Sequence, residues 1–406
     1  MRSIYNNIVV YVLCAFIVLM PICDDTLKVA GVPLRDILLL IVIMVYLIKI
    51  LVNKELKQLF LNIKSFFCNK FYLSLIILFV FMLYSVTYAY YSRDALEESI
   101  RFATYLALMF IVTYEVNNEY KVNLIFKSFI VLIGCQVILG IGQFTGKHIM
   151  GFDEIRITAT LENSNAFGAF LVLFLFPMVF CFLREKHKKR KIVYGTMAFL
   201  IFTNVVLAST RNAFLGIAFG FVVLALFYSY KFVLAIGGLG ILAMFIPAIG
   251  ERVKQIFDAS QNTSRIVLMK CAGKIISDYP VNGIGNGNFK NYYNLYRQYY
   301  EEFQIGEHAY YVVHNSFLKI WAELGIIAVI VFISSLGIGF YELKKVTKKL
   351  KESPIKSFYI GFMVSFLSFV LMNMIDHFII VPKVITYFWI ILALCQSILV
   401  NKINLE

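Results

Sequence analysis

The sequence predicts an all-α polytopic membrane protein, with about twelve transmembrane helices and one long, largely helical extracytoplasmic loop. Three observations carry that prediction. Of 406 residues, 60% are hydrophobic and only 15% charged, with a mean hydropathy of +0.79, whereas soluble domains are about a quarter charged. A chain of this length could not hide so much apolar surface in one water-soluble core. Twelve apolar runs fall near 7–22, 34–52, 71–90, 100–116, 122–143, 164–183, 192–208, 213–229, 232–248, 315–340, 358–375 and 385–400. In lipid a span needs roughly 20 such residues, and a helix satisfies its own backbone polar groups. Finally, the basic segments 54–70, 184–191 and 344–356 all land on one side if the N-terminus is cytoplasmic and the spans number twelve. That is the asymmetry that the positive-inside bias produces.

The expected division is nine spans in 1–248, an outward loop in 249–314 and three more spans in 315–406. Both termini are then cytoplasmic, and the short outward loops are 21–36, 91–99, 144–163, 209–212 and 376–383. The long loop is polar and aromatic, which suits an ordered surface with amphipathic helices at 262–277 and 290–303. The net charge of +14 sits in short loops beside apolar runs and is no nucleic-acid footprint. Seven cysteines show no paired or zinc-type spacing, and most lie in or beside apolar runs, where a thiol behaves as a small hydrophobe. The first run lacks a cleavage site and reads as a retained helix.

Several constellations bear on chemistry. Ser209-Thr210-Arg211-Asn212 lies between two apolar runs. Arg211 is either an interface anchor whose charge snorkels to water or part of an anion site, since the outward side disfavours a bare arginine. Asn262-Thr263-Ser264-Arg265 opens a helix. Capping accounts for the hydroxyls, while an arginine at a helix start suits an anionic partner such as a diphosphate. Asp278 to Phe289 contains alternating glycines, among them Gly285. Its spacing fits neither nucleotide fingerprint, and a turn that lets two chains approach closely explains it better than a phosphate cradle. His314-Asn315 stands where the chain re-enters the membrane, with Glu323-Leu324-Gly325 beyond. Histidine suits general-base work near neutrality, although an interfacial histidine is often only a hydrogen-bonding residue. His308 is a less suited alternative. Arg156, with Asn163 and Asn165, forms a polar entry to the next span, where the asparagines can simply cap the helix.

In order and spacing these elements resemble the O-antigen ligase and O-antigen polymerase superfamily of bacterial membrane glycosyltransferases. The family's R-x-x-x-L motif is matched by Arg211-Asn212-Ala213-Phe214-Leu215. Its glycine-rich turn resembles Asp278 to Phe289. Its H-[NSQ]-x9-G-x-x-[GTY] signature is matched by His314-Asn315 and Gly325, with Ala328 departing at the last position. Leu268 stands where an aromatic often follows the loop arginine. Arg156 to Asn165 is similar to the family's helix entry.

The resemblance implies transfer of an undecaprenyl-diphosphate-linked glycan on the outer face of the inner membrane, with no cofactor and no metal. The acceptor it implies is lipid A–core for a ligase or a lipid-linked repeat for a polymerase. It further implies His314 as general base, Arg211 and Arg265 as the diphosphate-stabilising pair, and Asn315, Arg156, Asn165 and Gly285 as substrate contacts. Attack opposite the leaving group inverts the anomeric centre. A transporter or flippase would place ionisable residues at mid-membrane and often shows repeats. Here the span interiors are nearly uncharged, Lys127 being the main exception. A metal-dependent lipid-linked transferase could use Asp24-Asp25, yet such enzymes usually carry more acidic ligands. Ligase and polymerase share one chemistry, and the closeness of the arginine and histidine signatures favours the ligase.

Overall fold

The structure, a computed structural model, describes residues 2–23, 28–29, 32–151, 156–227, 263–304, 312–403 and 405. Its helices are α1 (Arg2–Leu19), α2 (Leu34–Val52), α3 (Leu56–Cys68), α4 (Lys70–Ser85), α5 (Ser92–Glu115), α6 (Glu119–Ile149) and α7 (Ser164–Arg184). They continue as α8 (Lys188–Ala208), α9 (Arg211–Phe227), α10 (Thr263–Asp278), α11 (Phe289–Tyr299), α12 (Ser316–Lys349), α13 (Pro354–Met372) and α14 (Pro382–Val400). The class is all-α and polytopic. The expected run at 232–248 lies outside the described residues, and the others fall on helices. Six helices (α6, α7, α8, α12, α13 and α14) are long and apolar enough to cross a membrane, or seven if the bent pair α3–α4 counts as one span. In α2 and α5 charged residues such as Arg35, Asp36, Lys49 and Glu98 interrupt the apolar sequence. Twelve spans are therefore not reached on length and composition among the described residues.

The basic segment at 54–70, expected as a loop, holds the amphipathic helix α3. It leaves α4 at 83°, with Phe60 and Phe67 exposed and Phe66 buried against Tyr72 at 4.0 Å between ring centroids. Asn69 makes the corner, its side chain accepting from the amides of Phe71 and Tyr72. Exposed apolar rings beside lysines suit a helix lying along the bilayer surface.

Hydrogen bonds and ion pairs gather the three basic segments at one end. Arg184 pairs with Glu352, the Asn69 amide donates to Gln396 at 3.0 Å, and Lys349 reaches the carbonyl of Ile398. At the centre lies α7, buried along most of its length against α8 and α13. A Cβ on Gly361 of α13 would lie 2.4 Å from the Phe176 carbonyl oxygen, so α7 and α13 cross in backbone contact. Pro177 interrupts the hydrogen-bond ladder of α7 there, and Ser365 donates to the nearby Val172 carbonyl at 2.8 Å.

At the opposite end α10 and α11 share a small core of Leu268, Ile275, Phe289, Tyr293 and Phe303. The glycine-rich turn docks on a break in α12. Gly325 has φ 81° and ψ 175°, and a Cβ there would lie 1.7 Å from the Val281 carbonyl oxygen. Backbone bonds from Ile284 to Ala322, Gly285 to Glu323 and Ile326 to Pro280 close the contact at 2.8–3.2 Å. The Glu323 carboxylate accepts from the amides of Gly287 and Phe289, which caps α11. The glycines thus serve close approach of two chains, as their spacing suggested.

Two outcomes follow. Gly325→Ala forces both a strained backbone and a clash, and should cost about 2–4 kcal/mol in thermal unfolding followed in detergent. The positive-inside bias assigns the basic end to the cytoplasm. A membrane-impermeant thiol reagent applied to intact cells should therefore label Tyr299→Cys and leave Lys188→Cys unlabelled, and the reverse pattern would invert the topology.

Candidate functional site

Three arginines far apart in sequence meet at the end opposite the basic segments. Arg211 opens α9 after a two-residue connection, in which Ser209 takes a left-handed φ of 52° and the Thr210 hydroxyl accepts from the Ala213 amide. A non-glycine residue in that conformation is costly and marks a turn fixed by its surroundings. Gly168 of α7 admits the turn, since a Cβ there would lie 2.6 Å from the Thr210 hydroxyl. Arg265 stands in the first turn of α10. Arg156 lies on the loop before α7. Lys147 holds that loop through the Arg156 carbonyl at 2.8 Å, and Gln143 holds it through the amides of Thr158 and Ala159.

Arg156, Arg211 and Arg265, with Asn165, Ser209 and Asn212, line a cavity of about 200 Å³. A second cavity of about 190 Å³ shares Arg211, Asn212 and Arg265 and continues along Leu215, Ile266, Met269 and Ile375. A cationic chamber thus passes directly into an apolar one. Guanidinium groups on a shared cavity suit an anion with several oxygens, because each can make two parallel hydrogen bonds.

One carboxylate ties this region to His314. Asp376, 3% exposed, lies between α13 and α14. Its Oδ1 accepts from His314 Nδ1 at 3.0 Å, and its Oδ2 meets the Arg265 guanidinium at 3.4 Å and the Asn165 amide at 3.5 Å. His377 Nδ1 stands 3.1 Å from Oδ1, but out of line for a hydrogen bond to it. Burial pushes the Asp376 carboxyl up, yet the hydrogen bond with His314 and the proximity of both imidazoles outweigh it and hold the group well below the usual carboxylate range. An ionised carboxylate only accepts, so His314 must donate from Nδ1, which leaves Nε2 as the basic nitrogen of the neutral ring.

Asn315 caps α12. Its side-chain oxygen accepts from the amides of Phe317 and Leu318, and its amide donates to the Met374 carbonyl at 2.8 Å. It therefore fixes the His314 backbone beside the Asp376 loop. Asn163 caps α7, while Asn165 points to Asp376. Gly285 lies in the docked turn, where a Cβ would meet Ala89 at 2.4 Å, and it does not line the arginine cavities. His308 lies outside the described residues.

Asp376 and His377 were not singled out from the sequence, although an aspartate between two apolar runs is itself a signal. With His314 they put possible ligand atoms within 4.8 Å of one another, a donor set that could take a divalent cation. The Arg265 guanidinium on the same carboxylate opposes one.

Residues 196–333 match the family model described as O-Antigen ligase. That stretch holds the Arg211, Arg265, glycine-turn, His314 and Gly325 motifs, and there the resemblance to the O-antigen ligase and polymerase superfamily is borne out. Arg156, Asn165 and Asp376 lie outside it and join the site only through the fold. No curated protein matches the chain.

Proposed function

We propose that this membrane protein is a glycosyltransferase that moves a glycan from undecaprenyl diphosphate to an acceptor sugar on the outer face of the inner membrane. The observation that carries the reading is the convergence of Arg156, Arg211 and Arg265 on one chamber that opens into an apolar one. A lipid diphosphate has that shape: two phosphates for the guanidiniums and a prenyl chain for Leu215, Met269 and Ile375. The matched family model carries the choice of glycosyl transfer over transport.

In the proposed reaction the acceptor hydroxyl loses its proton to Nε2 of His314. Its oxygen bonds to the anomeric carbon as the carbon–oxygen bond to the diphosphate breaks. The electron pair leaves on the diphosphate, where Arg211 and Arg265 offset the growing charge. Attack opposite the leaving group inverts the configuration. Asp376 keeps His314 in the basic tautomer and steadies the imidazolium that forms. Arg156 and Asn165 border the donor chamber, and Asn315 sets the height of the histidine. The acceptor proposed is lipid A–core, which makes the protein an O-antigen ligase. A lipid-linked repeat as acceptor would make it a polymerase with the same machinery, and supplying each acceptor to purified enzyme separates the two.

Lysine keeps the charge of arginine but loses its planar fork. Arg211→Lys and Arg265→Lys should each lower transfer by about 2–4 kcal/mol in activation free energy, as removal of one stabilising donor does, and unchanged turnover in both would reduce the arginines to interface anchors. General-base assistance contributes about a hundred- to ten-thousand-fold. His314→Ala should therefore insert and still bind donor, but transfer at least about a hundred times more slowly, while His308→Ala loses much less. Loss of donor binding in His314→Ala would make the residue a phosphate or sugar ligand instead. Chelation by EDTA should leave the rate unchanged, and restoration of a lost rate by Zn²⁺ would transfer the role of His314, Asp376 and His377 to a metal.

A further inference from the structure

A separate cleft lies between α4, α5, α12 and α14, at the same end of the molecule as His314, and shares no residue with the arginine cavities. Its volume is about 70 Å³, on a measure where one water needs about 10–15 Å³. One wall is the backbone that carries the reacting groups. Ser316, two residues after His314, donates from its amide to the carbonyls of Asn373 and Asp376 and from its hydroxyl to Asn373 Oδ1. Ile379 and Ile380, just beyond Asp376, complete that wall. Met82, Phe102, Phe332 and Trp389 give the rest an apolar surface.

Two features point to a ligand. The Asn286 side-chain amide is buried on this cleft with no hydrogen-bond partner, and Asn286 is only 5% exposed. The Tyr105 hydroxyl, also on the cleft, is buried and equally unpartnered. A buried donor left unmet costs about 1–3 kcal/mol, so two on one cleft call for an explanation. The charged residues on the cleft balance: Glu98 pairs with Arg101 at 2.8 Å, and Lys319 pairs with Glu323. The arginine chamber selects an anion, whereas this cleft offers hydrogen bonds, aromatic surface and no net charge. Those properties fit a neutral, hydroxyl-bearing ring.

We propose that this cleft is the acceptor subsite and holds a neutral sugar ring of the acceptor glycan, with Asn286 and Tyr105 hydrogen-bonding its hydroxyls. The inference rests on the glycosyl-transfer reading above, and it places the acceptor against the wall formed by Ser316 and the Asp376 loop while the diphosphate occupies the arginines.

Trp389 reports on the cleft directly, because the chain has two tryptophans and Trp321→Phe leaves only this one. The full-length protein in detergent is titrated with the oligosaccharide released by mild acid from the source bacterium's own surface polysaccharide. A saturable change in Trp389 emission is expected. Asn286→Ala and Tyr105→Phe, the second of which removes only a hydroxyl, should each weaken binding roughly five- to tenfold. Inorganic pyrophosphate, followed by calorimetry, should bind without changing that emission. Glycan that leaves Trp389 unaffected, or that binds both variants as tightly as the parent protein, overturns the acceptor subsite. Saturable glycan binding at Trp389, weakened in both variants, without pyrophosphate binding would uphold the cleft and remove the diphosphate reading.

Discussion

A carboxylate buried beside two imidazoles and a guanidinium is stable only while those groups keep facing it. Asp376 is such a group, and the geometry of the site depends on it. It holds the tautomer of His314, turns Arg265 toward the chamber and takes the amide of Asn165. Removing one partner from a buried pair typically costs about 3–5 kcal/mol, because the remaining charge is left uncompensated. Residues from α7, α10, the start of α12 and the loop after α13 are therefore bound into one arrangement. His314 and Arg265 share an anchor, so a shift of one displaces the other.

Much of this was legible in the sequence, for reasons that differ by element. The apolar runs could be read because lipid imposes length and uniformity on a span. The glycine turn could be read as a close approach because glycine has no Cβ to prevent one, but that it meets Gly325 through Val281 is seen only in the fold. Arg211 and His314 stood out as polar residues at apolar boundaries, and Arg265 as a cation at a helix start. What could not be read was pairing. Nothing local says that His314 faces an aspartate on a later loop, or that the Asn315 amide reaches the Met374 carbonyl and so sets the position of its neighbour. The helix α3 was hidden by its lysines, which made an interfacial helix look like a loop. The span count suffers in the same way, since charged residues in α2 and α5 break the hydropathy signal without breaking the helix.

Charge is distributed over this end with a clear division. The arginine chamber brings three guanidinium groups to one cavity, and Asp376 pairs with Arg265 at its side. The cleft beside Ser316 has each charge paired within its own wall. Between them runs the backbone of His314 and Asn315, pinned to the Asp376 loop by the asparagine amide and by Ser316. Under the proposed reading an anionic group and a neutral polar group would go to different places on either side of that backbone, with no moving part.

The site is built from chain segments that emerge at very different times. Arg156 and Asn165 come early, Arg211 and Arg265 later, and Asp376 only with the last pair of helices. A chain stopped before α13 would carry Arg265 without the carboxylate it pairs with, and a histidine free to take either tautomer. Completion of the final hairpin is therefore the step that joins the carboxylate to the residues gathered before it.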